Sequence, residues 1–135
     1  MNAVINAESF VAFLAYFGAG LGILILAVIA VALITPHRDF TLIRQGNVAA
    51  STAFGGTLIG LALPLHAAIT HSVSLADAAI WGAVAAAIQI LAYLLARAVV
   101  GGISKQITEN VSAAGVFAAS TSIAVGLINA AAMTP

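Results

Sequence analysis

Five polar side chains lie inside the apolar stretches of this chain and are its best candidates for chemistry. They are Thr57, Gln89, Ser120, Thr121 and Ser122, each close to the middle of an apolar stretch. A polar group in hydrocarbon must find a hydrogen-bond partner or water. The five side chains could therefore line a polar passage for a small ion or solute. Alternatively, they form hydrogen bonds between helices, each worth about 0.6 kcal/mol, or bond back to carbonyl groups of their own helix.

The remaining residue types argue against catalysis and against metal binding. The chain has no cysteine, no glycine-rich phosphate loop, no paired carboxylates at membrane depth and no cofactor fingerprint. His66, His71 and Asp77 fall near the same ends of the apolar stretches, but they lack the spacing of metal ligands on one helical face. We therefore expect no enzymatic activity, no cofactor and no metal site.

The composition requires a lipid environment. Of the 135 residues, 63% are hydrophobic and only 6% are charged, whereas an ordinary soluble domain carries roughly 25% charged residues. Only four lysine or arginine residues are present, so no basic face for nucleic acid can be assembled. The sequence predicts a single integral membrane domain whose first partners are membrane lipids.

Four apolar stretches must position the polar side chains. They cover residues 10–35, 48 to about 69, 75–100 and 111 to about 132, and each is long enough to span a bilayer, which takes about 20 residues. Asn47, Ser74 and Asn110 precede the last three stretches and are residue types that cap helices. Pro64 lies inside the second stretch, where it predicts a kink and deprives the Gly60 carbonyl of its usual partner.

An internal repeat organises these stretches. Asn-Val-Ala-Ala-Ser-Thr-Ala-Phe at 47–54 recurs as Asn-Val-Ser-Ala-Ala-Gly-Val-Phe at 110–117. Each copy begins the second helix of a hairpin, so the repeats cover about 7–70 and 74–133. The predicted fold is an all-α integral membrane protein with four transmembrane helices. They form two tandem helical hairpins related by a pseudo-two-fold axis along the membrane normal.

Pairs of glycines four residues apart predict close helix packing. Gly18 and Gly22 form one pair, and Gly56 and Gly60 form another. Association in lipid depends on such small residues because they let two helix backbones approach. The spacing does not distinguish packing within one bundle from packing between protomers, and we expect a homo-oligomer.

The distribution of basic residues predicts the orientation. Arg38, Arg44, Arg97 and Lys105 all lie in or beside the first and third connections. The positive-inside rule then places both hairpin loops in the cytoplasm and both termini outside. The first loop should form a short amphipathic turn of helix, in which Arg38, Phe40 and Arg44 offer a docking surface for a peripheral membrane protein or for anionic lipid.

Three segments carry a resemblance to a known family. They are PHRDFTLIRQGNVAA at 36–50, ENV at 109–111 and GLINAAAMT at 126–134. With these segments the chain resembles the bacterial YjfL family of small inner-membrane proteins, a domain of unknown function. The resemblance covers essentially the whole chain and implies four helices in two repeats. It also implies a role in envelope maintenance or stress response, and it supplies no catalytic residues.

Taken with the composition, the resemblance predicts a non-enzymatic, multi-pass protein of the bacterial inner membrane. We expect it to act by forming oligomers or by binding a partner in envelope maintenance. The alternative is a small ion or solute channel or transporter, formed by an oligomer or at the interface between the repeats.

Overall fold

The computed structural model describes residues 6–35 and 39–133, and these ranges form six α-helices and no strand. The helices are α1 (Ala7–Ile34), α2 (Asp39–Arg44), α3 (Val48–Thr70), α4 (Leu75–Val99), α5 (Ile103–Thr108) and α6 (Ser112–Ala132). α1, α3, α4 and α6 are long and apolar enough to cross a membrane, which confirms the predicted all-α class and the four spans. Arg38 lies outside the described residues.

The two short helices lie at the same end of the bundle, which we call the α2–α5 end. α2 is the short helical turn predicted between the first two spans. α5 was not predicted, although Ile103 and Ile107, one turn apart, are both buried on its inner face. These two side chains pack with Ala49, Ala50 and partners on α6 in one apolar cluster, so α5 closes this end of the bundle.

Two of the three predicted caps have the expected geometry. The Asn47 side chain accepts a hydrogen bond from the Ala50 backbone N–H at 2.8 Å, and the Ser74 hydroxyl accepts one from the Asp77 N–H at 3.1 Å. Each side chain thereby satisfies a backbone donor that has no partner within its helix.

The predicted cap at Asn110 is wrong. Val111 is the residue before α6, and it makes no side-chain cap. Asn110 has φ +60°, a left-handed conformation that asparagine tolerates better than most residues. From this position its side-chain oxygen, Oδ1, accepts a hydrogen bond from the Ala49 N–H at 3.1 Å. Asn110 therefore caps the first turn of α3 instead of α6.

α3 and α6 pack backbone against backbone. A Cβ atom at Gly56 would overlap with Ala119, and one at Gly115 would overlap with Ala49. Such contact is possible only because these positions lack side chains. The predicted close packing at Gly56 and Gly60 therefore lies within one bundle. Gly56 and Ala119 would occupy equivalent positions in the two predicted repeats.

α1 is the least enclosed span. Its buried residues are Gly20, Ala27 and Val31, and it packs against α3 and α4. α4, the corresponding helix of the second repeat, packs against α1, α3 and α6. α1 and α4 thus have different neighbours. The pseudo-two-fold relation between the repeats stays a prediction.

Candidate functional site

A pair of buried amides joins α4 to α6 inside the bundle. Gln89 is 6% exposed and Asn129 is 5% exposed. The Asn129 amide nitrogen donates to the Gln89 side-chain oxygen at 3.2 Å and to the Ala85 carbonyl at 3.1 Å. The Gln89 amide nitrogen donates to the Ser122 carbonyl at 3.2 Å. Gln89 therefore makes the interhelical hydrogen bonds that were one of the two sequence-based alternatives.

Asn129 was not among the candidate residues in the sequence. The sequence could have identified it, because Ser122 and Asn129 are seven residues apart and therefore lie on the same face of α6. Gly126 lies between them on that face, and a Cβ atom there would stand 2.5 Å from the Gly60 carbonyl oxygen. The Gly60 carbonyl, which has no N–H partner within α3 because residue 64 is proline, is therefore covered by the backbone of α6.

Two of the other four predicted polar residues bond to carbonyl groups of their own helices. Thr57 donates to the Ala53 carbonyl at 3.1 Å, and Thr121 donates to the Phe117 carbonyl at 2.9 Å, both within their own helices. Ser122 is half-buried, and its hydroxyl has no hydrogen-bond partner among the described residues. Ser120 is exposed on the outer surface of α6.

A cavity brings four of the five predicted residues together. Its volume is about 50 Å³, enough for a few water molecules. Thr57, Gln89, Thr121 and Ser122 line its inner part, whereas Ser120 does not line it. The inner part is hereafter called the floor. Towards the α2–α5 end the lining residues with polar groups are Thr35, Asp39, Tyr93, Arg97 and Ser104.

Hydrogen bonds at the α2–α5 end of the cavity, hereafter called its mouth, connect the end of α1 to α4. The Thr35 hydroxyl donates to the Val31 carbonyl at 2.6 Å. Because a hydroxyl has one proton, the Tyr93 hydroxyl must be the donor in its 2.6 Å bond to Thr35. Arg97 donates to the Ile34 carbonyl at 2.9 Å, and its guanidinium lies 5.6 Å from the centre of the Tyr93 ring.

Sequence reasoning missed Thr35, Tyr93 and Asp39 as site residues. The spacing of Tyr93 and Arg97, four residues apart on one helix, is a visible signal of contact. Asp39 is 8% exposed, although a loop aspartate is ordinarily solvated. No local pattern distinguishes it, since its burial depends on how α2 folds back over the bundle.

The loop residues predicted as a docking surface are partly described. Phe40 is 53% exposed, and its ring meets that of Phe54 edge-to-face with centroids 5.1 Å apart. Arg44 is exposed in the last turn of α2. At the opposite end, His71 contacts the Ala67 carbonyl at 3.0 Å. The described residues contain no group of three or more potential metal ligands.

Four apolar spanning helices around a buried amide pair define a multi-pass α-helical membrane protein. The chain belongs to the family described as Domain of Unknown Function (DUF350), whose family model matches residues 5–133. This confirms the family expected from the sequence. The chain is similar to the UPF0719 inner membrane protein YjfL of Escherichia coli (strain K12) and to the protein of that name in Escherichia coli O157:H7. Each is 39% identical over 127 residues, which cover 94% of this chain and 96% of the relative.

No solved structure matches the chain. The relatives are inner membrane proteins, and this chain has four helices that can span the bilayer. It is therefore an integral protein of the bacterial inner membrane.

Proposed function

We propose that this protein is a non-enzymatic membrane component that works by self-association through α1, in a system of envelope maintenance or stress response. One observation carries the proposal. Gly18 and Gly22 have open space where a side chain would be, whereas Gly56, Gly60 and the α6 glycines abut a neighbouring backbone. The role in the envelope rests on the family resemblance.

The open glycines lie on the face of α1 that points away from the bundle. With about 3.6 residues per turn, Gly18 and Gly22 fall opposite the buried residues Gly20, Ala27 and Val31. Exposed leucine or isoleucine on such a face is unremarkable in lipid, since acyl chains cover it as well as protein does. Glycines are informative, because they form a shallow groove that a second helix can enter.

A second copy of this chain is the occupant that fits this groove. Two identical helices can place their Gly18–Gly22 grooves against each other, which brings the backbones into direct contact. Glu8 is the one charged residue of α1, and it lies in the first turn. No charge on α1 therefore opposes the approach of two copies at membrane depth.

Disulfide formation in membranes tests the proposal, and the absence of cysteine from the chain provides a clean background. Ile25→Cys places a thiol on the Gly18–Gly22 face, one turn beyond Gly22. Phe17→Cys is the control, because it is also exposed but points about 120° away from the midpoint between Gly18 and Gly22. We expect oxidation to give dimers with Ile25→Cys and much less with Phe17→Cys. Equal yields, or no dimer with Ile25→Cys, would refute association through this face.

The exposed side of α2 is the proposed contact with a peripheral membrane protein or anionic lipid. Phe40 and Arg44 support this role because an aromatic ring and a cation suit the interface between headgroups and acyl chains. Arg38, which immediately precedes α2 in the sequence, is included in this proposal on the basis of the sequence alone. Affinity capture with the α2 segment scrambled tests it: an unchanged set of captured proteins and lipids would count against a docking role.

A second candidate function is a small ion or solute channel or transporter, formed by an oligomer or at the interface between the repeats. The cavity lined by Thr57, Gln89, Thr121 and Ser122 favours it. Backbone contact at Gly60 and the Gln89–Asn129 pair oppose it, because they obstruct the floor. Flux into liposomes containing the purified protein decides between the two functions. No flux of common ions or small solutes would exclude a channel.

A further inference from the structure

We propose that the cavity is a dead-end, water-filled vestibule that opens at the α2–α5 end. This goes beyond both functions above, since it requires neither self-association nor conduction across the membrane. It would make the floor of the cavity a hydrated site inside an otherwise apolar bundle.

Unsatisfied polar groups at the floor require water. The Ser122 hydroxyl has no partner among the described residues. The Gln89 amide uses one of its two N–H groups, in the bond to the Ser122 carbonyl. Leaving a buried polar group without a partner costs about 1–3 kcal/mol. Water in the cavity removes this cost, and about 50 Å³ is sufficient volume for it.

The lining residues show which end is open. From Gln89 to Arg97 the cavity follows α4 for about 12 Å. Arg97 and Ser104, which line the mouth, are partly exposed, so water can reach the cavity there. At the floor, the Gln89–Asn129 hydrogen bond and the contact between Gly60 and Gly126 block further passage.

The charges around the mouth offset each other. The Asp39 carboxylate and the Arg97 guanidinium both line the cavity. The carboxyl ends of α1 and α4 carry partial negative charge, and the amino ends of α2 and α5 carry partial positive charge. All four ends reach the lining, through Thr35, Ala96, Asp39 and Ser104, so water, not an ion of one sign, is the proposed occupant.

Thiol accessibility tests the hydration of the floor. Ser122→Cys places a thiol in the cavity, and Ser120→Cys places one nearby on the outer surface of α6. Both variants, reconstituted in lipid vesicles, are treated with Ag⁺, and the unreacted thiols are then labelled with a fluorescent maleimide after denaturation. We expect Ag⁺ to block Ser122→Cys at least tenfold faster than Ser120→Cys. Equal rates would overturn the proposal.

A second cavity position guards against a local artefact of one substitution. Thr121→Cys also lines the cavity, and it should react with Ag⁺ faster than Ser120→Cys as well. If both cavity positions react no faster than the lipid-facing one, the vestibule is dry and the proposal fails.

Discussion

The amide of Asn129 donates to the side-chain oxygen of Gln89 at 3.2 Å and thereby joins α6 to α4. Both side chains are buried, and both make additional bonds to backbone carbonyls of the facing helix. Gln89 also lines the cavity. The contact between α4 and α6 inside the bundle therefore depends on these two residues.

Gln89→Leu and Asn129→Leu should each destabilise the bundle by about 1–3 kcal/mol, because each removes the bond between the two amides and the substituted residue's own bond to a backbone carbonyl of the facing helix. The double substitution removes both polar groups, so its cost should be smaller than the sum of the two single costs. Unfolding equilibria in detergent micelles measure all three values. Ser120→Leu is the control and should change stability little. Strict additivity of the two single costs would show that the pair is not coupled.

Gly56→Leu should prevent α3 and α6 from packing. Its Cβ atom alone would overlap with Ala119, whereas Gly55, the preceding residue, has open space at that position. We expect Gly56→Leu to cost about 3 kcal/mol or more and Gly55→Leu to cost well under 1 kcal/mol. Thermal unfolding in detergent measures both. Equal destabilisation would mean that helix propensity, not interhelical contact, sets the cost.

Asn110→Gly and Asn110→Ala separate two roles of this residue. Both lose the bond to the Ala49 N–H, which should cost about 1 kcal/mol. Alanine must also adopt φ +60°, at a further cost of about 1–2 kcal/mol. Asn110→Ala should therefore be the less stable of the two by denaturant unfolding. If the Asn110→Ala variant is as stable as the Asn110→Gly variant, or more stable, the left-handed conformation does not limit stability.

Tyr93→Phe should loosen the junction between α1 and α4. It removes the hydroxyl that donates to Thr35 at 2.6 Å while keeping the ring beneath Arg97. We expect faster amide hydrogen exchange at the end of α1, by about fivefold, for a bond worth about 1 kcal/mol. Tyr16→Phe is the matched control, because the Tyr16 hydroxyl makes no hydrogen bond to the described residues. Equal exchange in both variants would contradict the role of Tyr93.

Much of the fold could be predicted because a membrane span is a local property of the chain. The predicted starts of α3 and α4 agree with the structure, and the ends of all four spans agree within about one residue. α5 was missed because its six residues include only two apolar ones, Ile103 and Ile107, whereas the equally short α2 has three. Asn110 was assigned to α6 because the sequence shows where a cap stands but not which helix its side chain faces.

The candidate site could be predicted in its residue types but not in its partners. Gln89, Thr57, Thr121 and Ser122 were identified because polar groups are conspicuous among apolar ones. Their partners were not foreseeable: Gln89 pairs with Asn129, both threonines bond within their own helices, and the Ser122 hydroxyl has no partner among the described residues. Neither was the position of Ser120, which adjoins Thr121 in the sequence and yet lies outside the cavity.

The sequence by itself determined that this protein crosses the membrane, where its spans lie and which family it belongs to. These properties follow from hydrophobic length, charge and similarity along the chain. Only the tertiary structure decided which face of each helix points inward, because lipid is as apolar as the protein interior and does not orient a helix. The orientation is set instead by close backbone contact, as between Gly56 and Ala119, and by buried amides such as Gln89 and Asn129.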